Sequence, residues 1–93
     1  MGIQEVSENN PMGLAVWPNP FSNQVNFVAG NLDTKNTTYI NVVDMLGKTV
    51  LHYSYTNRSE LKETLDLSSL SSGVYFIKIN NNTNQAVHRV VKD

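Results

Sequence analysis

His52 and His88 are the side chains of this 93-residue chain best suited to move a proton or hold a metal ion near neutral pH. Neither has a carboxylate or a second imidazole at a ligand-like spacing, so both read as strand residues rather than metal ligands. The carboxylates Asp33, Asp44, Glu60, Glu63 and Asp66 form no loop of alternating oxygen ligands for calcium. Serines are frequent, yet none lies in a G-x-S-x-G elbow, and no glycine-rich phosphate cradle occurs. The absence of cysteine removes thiolate catalysis, disulfides and cysteine-based zinc sites together. The expectation is a protein that is not an enzyme and uses no metal or cofactor. Trp17, Tyr39, Tyr53, Tyr55 and Tyr75 are the remaining chemistry-bearing set. They suit either core and cross-strand packing or an aromatic platform for a sugar or peptide, with Tyr53 and Tyr55 as the exposed pair. The alternative function is therefore an accessory carbohydrate- or peptide-binding module of a secreted enzyme.

Such residues need a scaffold, and 93 residues allow one small domain. Hydrophobic residues make up 40% of the chain, enough for a core, whereas charged residues make up only 16%, with 13 Asn, 8 Ser and 7 Thr supplying the polar surface. That surface resembles extracellular bacterial sandwiches. The net charge of −1 gives no field to hold nucleic acid or anionic lipid. No apolar run is long enough for a membrane span, and residues 1–11 lack the basic start and apolar stretch of a secretion leader, so export requires a leader encoded upstream.

Residues 1–13 are polar and aperiodic and read as a tether; residues 14–93 read as the folded domain. Short alternating runs separated by turn residues predict strands over 14–17, 24–29, 38–44, 48–55, 61–67, 73–80 and 85–91, with a single helical turn at 68–70. The run at 73–80 carries Tyr75, Ile77 and Ile79 on one face and Val74 and Phe76 on the other, which predicts a central strand covered on both sides. Residues 80–84, mostly Asn, read as an exposed turn. Asp44 and Gly47 fit a tight hairpin turn, the carboxylate bonding turn amides and the glycine taking positive φ. The last strand is expected at a sheet edge, with Val87, Val90 and Val91 in the core, and with Arg89, Lys92 and its main chain open to a partner or to weak pairing with a second copy. Seven antiparallel strands in about 80 residues predict an all-β, immunoglobulin-like sandwich.

Four motifs stand out in order: Trp17-Pro18-Asn19-Pro20-Phe21; Val43-Asp44-Met45-Leu46-Gly47-Lys48-Thr49-Val50; residues 65–79, which run through Leu70-Ser71-Ser72-Gly73-Val74-Tyr75-Phe76; and Val87-His88-Arg89-Val90-Val91-Lys92. Together they resemble the C-terminal sorting domain, type A, of cargo proteins of the type IX (Por) secretion system of Bacteroidota. The likeness spans residues 14–92. Asp93, after Lys92, is a departure, since the family usually stops at or just past its last basic residue.

The resemblance implies an address label carried by a larger secreted protein. It implies recognition in the periplasm by the outer-membrane translocon, delivery by a shuttle to a sortase-like cysteine peptidase that cuts within or near residues 1–13, and a cargo left at the cell surface or released outside. Recognition is expected to involve Pro18, Asn19, Pro20, Asp44, Gly47, Gly73, Tyr75, Arg89, Val90, Val91 and Lys92. Pro18-Asn19-Pro20 has a structural reading beside this one, because two prolines and an asparagine redirect the chain between the first two strands.

Overall fold

A computed structural model of the protein describes residues 11–93. Seven strands, β1 (Ala15–Trp17), β2 (Gln24–Ala29), β3 (Thr38–Val43), β4 (Thr49–Tyr55), β5 (Leu61–Asp66), β6 (Gly73–Asn81) and β7 (Asn84–Lys92), form two antiparallel sheets. The smaller sheet has the order β1-β2-β5 and the larger β4-β3-β6-β7, which makes an immunoglobulin-like β-sandwich. The core lies between them, where Val25, Phe27, Leu61 and Leu65 of one sheet meet Ile40, Val42, Ile77, Ile79 and Val90 of the other. Alternation along each strand sends every second residue into that layer. Among the described residues Met12, two residues ahead of the expected start at Leu14, is already buried in the core. The expected tether over residues 1–13 falls, through residue 10, outside the described residues.

Four sequence expectations change. Residues 68–70 form a turn, with Leu70 N–H donating to Leu67 C=O at 3.1 Å, and not a helical turn. β6 is central, between β3 and β7, but covered on one side only: Val74 and Phe76 are half-buried and Lys78 is exposed on the outer face. An antiparallel sheet of two layers needs only one dry face. Asn81 is 1% exposed and ends β6, so the turn to β7 contracts to Asn82 and Thr83. In β7 the inward positions are Ala86, His88, Val90 and Lys92, which leaves Val87 on the outer face at 56% exposure.

Asn81 is buried because its amide is fully used. It accepts from Asp33 N–H at 2.8 Å and donates to Thr38 Oγ1 at 2.9 Å and Asp33 C=O at 3.2 Å. A buried amide is stable only with such partners. Here they fasten the β2–β3 connection to the β6–β7 hairpin.

Candidate functional site

The registers bring the sequence motifs to one pole of the sandwich. Val43, Phe76 and Arg89 lie in one row across β3, β6 and β7, and Gly73 pairs with Lys92 three residues further out. The Asp44–Lys48 turn leaves the sheet beside that row. Asp44 Oδ1 accepts from Leu46 N–H at 2.9 Å and Lys48 N–H at 3.0 Å, while Gly47 N–H donates to Asp44 C=O at 3.0 Å and Gly47 sits at φ 85°. The turn is thus pinned from inside, and only glycine takes that φ without strain. It holds two apolar side chains out of the protein: Met45 is 70% exposed and Leu46 94%. Sequence reasoning passed over this pair because composition does not distinguish an exposed leucine from a buried one. The signal available was their position inside a turn too short to fold either back.

Pro18-Asn19-Pro20-Phe21 lies against the end of β7. Asn19 Nδ2 donates to Arg89 C=O at 3.1 Å and Asn19 Oδ1 accepts from Val91 N–H at 2.9 Å, so one side-chain amide stands in for a neighbouring strand. Phe21 continues the pairing, its N–H donating to Val91 C=O at 2.9 Å and its C=O accepting from Asp93 N–H at 2.9 Å, in a parallel bridge to Lys92. Its ring is buried between the sheets. The edge of β7 is therefore closed over Arg89–Asp93, contrary to the expectation of an open edge. By alternation the main-chain groups of Gln85 and Val87 and the N–H of Arg89 point outward along it, with no bond to them among the described residues.

Lys92 is likewise not available to a partner. It is 8% exposed, and its Nζ donates to the carbonyls of Leu67 at 3.0 Å, Ser68 at 3.1 Å and Leu70 at 2.6 Å. Three backbone acceptors converge on three ammonium donors, which lets a cation be buried without a carboxylate contact. Arg89 stays exposed, Val91 is half-buried on the outer face, and Val90 lies wholly in the core. Gly73 adopts φ 151°, and Tyr75 faces inward with its hydroxyl donating to Ser71 C=O at 2.7 Å.

On the surface near Lys92, Asp66 accepts from Ser68, whose N–H lies at 3.0 Å. The Ser68 hydrogen bonds, from side chain and backbone, hold its carboxyl below the usual carboxylate range, with Lys92 adding to the effect. A carboxyl depressed in the folded state contributes stability above its unfolded pKa, and that contribution disappears as pH falls through the lowered value. Asp66→Asn is accordingly expected to reduce the unfolding midpoint at pH 7 by a few degrees at most. The gap from the parent should close in acid, below the ordinary Asp range, as followed by circular dichroism melts.

The aromatic platform does not form. Tyr53 and Tyr55 are half-buried on the inner face of β4, Tyr55 meeting Phe27 edge-on at 6.4 Å. Burial and the nearby Glu63 raise its hydroxyl pKa. Trp17 and Tyr39 are exposed on different sheets. Among the described residues no three His, Cys, Asp or Glu side chains gather as they would around a metal ion, and no helix is long and apolar enough to cross a membrane.

Compared with known protein families, residues 15–93 match the model of the secretion system C-terminal sorting domain. No curated protein matches the chain.

Proposed function

The chain belongs to the family of secretion system C-terminal sorting domains, and from that premise we propose that it is the type A export signal of a Bacteroidota cargo, read by the type IX machinery at the pole described above. The observation that carries this reading is the convergence of all four motifs on that pole, around two bare apolar side chains. The recognition set divides in two. Pro18, Asn19, Pro20, Gly73, Tyr75, Val90 and Lys92 build the surface from behind. Asp44 and Gly47 fix the turn that presents Met45 and Leu46, while Arg89 and Val91 lie on the outer face of β7, across β6 from it. Pinned apolar anchors amid polar surface suit a protein partner, because they reach a pocket without the ordering cost of a flexible loop.

The partners in this proposal are the translocon with its shuttle, and then a sortase-like cysteine peptidase that releases an upstream cargo domain at the cell surface or outside. Met12 is buried and its C=O accepts from Gly30 N–H at 2.7 Å, so residues 1–11 are the stretch assigned to cleavage. The open edge at Gln85 and Val87 is short, and pairing with a second copy through it is correspondingly weak.

The test joins residues 1–93 behind a periplasmic passenger in a host with a working type IX system. The parent fusion should bring the passenger to the surface. The double variant Met45→Ser/Leu46→Ser should reduce surface passenger at least ~10-fold, two interface anchors being worth ~1 kcal/mol or more each. Its unfolding midpoint should hold within a degree or two, since exposed sites tolerate such changes. A passenger retained by the parent fusion would refute the sorting role; undiminished export of the double variant would refute the reading surface.

A further inference from the structure

The opposite pole carries a feature that the sorting role leaves unused. Lys35, Asn36, Thr37, Tyr39, Asn80 and Asn82 line an open cleft of about 450 Å³. Tyr39 forms its aromatic wall, 44% exposed, with the ring stacked on His52 at 5.8 Å between centroids and 22° between planes. His52 is fixed in turn by its hydrogen bond to Asn41. The ring is therefore held in place and still presents surface to solvent.

The other walls are equally prearranged. The Asn81 network fastens residues 33–38 to the β6–β7 hairpin, which sets the distance between Asn36 and the pair Asn80 and Asn82. Asn36 spends its Nδ2 on Asp33 Oδ2 at 2.9 Å. No hydrogen bond within the described residues occupies the side chains of Asn80, Asn82 or Lys35, so their donors and acceptors face the cleft unspent. A carboxylate also sits in the same turn, Asp33 Oδ1 accepting from the Lys35 backbone N–H at 2.9 Å, so Lys35 is not the only charge beside the cleft. A strongly anionic ligand gains little in such a place, and an apolar one would bury free amides.

We infer that this cleft binds a neutral saccharide, the C–H face of a sugar ring lying on Tyr39 and its hydroxyls bonding the amides of Asn36, Asn80 and Asn82, with Lys35 and Thr37 at the rim. A sugar ring has both properties the cleft selects for: an apolar face matched to an aromatic ring and a rim of groups that donate and accept as amides do. The proposal is independent of the export reading, since the cleft lies at the other end of β6 from the motif pole.

The experiment titrates the 15N-labelled 93-residue protein with cellobiose, lactose, mannobiose and chitobiose, each to 50 mM, following backbone and Asn side-chain amides and the Tyr39 ring. At least one disaccharide should give saturable shifts confined to residues 35–39 and 80–82, with a millimolar Kd. Tyr39→Ala should weaken that binding about 10-fold, and Asn80→Ala should weaken it too, both with unfolding midpoints close to the parent. Absence of saturable shifts with all four sugars overturns the inference, as does binding that survives Tyr39→Ala or shifts centred elsewhere.

Discussion

Lys92→Met is expected to cost about 2–3 kcal/mol of stability, which in a domain of this size lowers the unfolding midpoint by roughly 10–20 °C. Methionine keeps much of the apolar stem and loses the ammonium. The carbonyls of Leu67, Ser68 and Leu70 then lose a shared charged donor. Hydrogen bonds to charged groups are individually worth about 1.5–3 kcal/mol. The three do not add, because burying an ammonium has its own desolvation cost and water can reach the half-buried acceptors of Ser68 and Leu70. Lys92→Arg is expected to fall between parent and methionine, as a planar fork does not match three acceptors converging on a point. Thermal melts of the three proteins check the order. An unchanged midpoint for Lys92→Met would mean that desolvation cancels the bonds.

Phe21→Ala is expected to be more damaging still, at about 3–5 kcal/mol. The ring is 1% exposed between the two sheets, so its removal leaves a cavity that neither sheet can close without breaking its own ladder. Total stabilities of small domains run about 5–15 kcal/mol, and such a loss brings this one close to unfolding. The main-chain bonds of residue 21 to Val91 and Asp93 remain possible after truncation. A loss near 1 kcal/mol would therefore show that Phe21 acts through its backbone and that the ring is dispensable. Urea unfolding gives the number directly, with an unchanged slope confirming that the folded state keeps its extent.

Both residues also show where sequence reading stops. Alternation at Val25 and Phe27, and at Ile40 and Val42, identified the inward faces of β2 and β3, and the Asp44 and Gly47 turn was legible from residue type alone. Whether the second face of a strand is covered is a different question, decided by how many layers the sheets make. For this reason Val74 and Phe76 were assigned a cover they lack. The parity of β7 depends on a two-residue turn at Asn82 and Thr83, and a one-residue difference there exchanges its faces. Hydrophobicity favoured Val87 inward and Lys92 outward. The observed parity is tolerable only because three carbonyls, more than 20 residues away in sequence, meet the ammonium. Asn19 is further removed, 70 and 72 positions from the groups it bonds. No local pattern announces a partner at that distance.

The chain enters the described fold at Pro11 and Met12, beside Gly30 and Asn31, and finishes at the other end of the nine-residue β6. Eight strand steps put roughly 26 Å between those ends. In the proposed reading, a passenger joined ahead of Pro11 would hang from the heel of the molecule while its toe is gripped. Its bulk would then stay clear of the grip, which would let one such tail haul freight of very different girth.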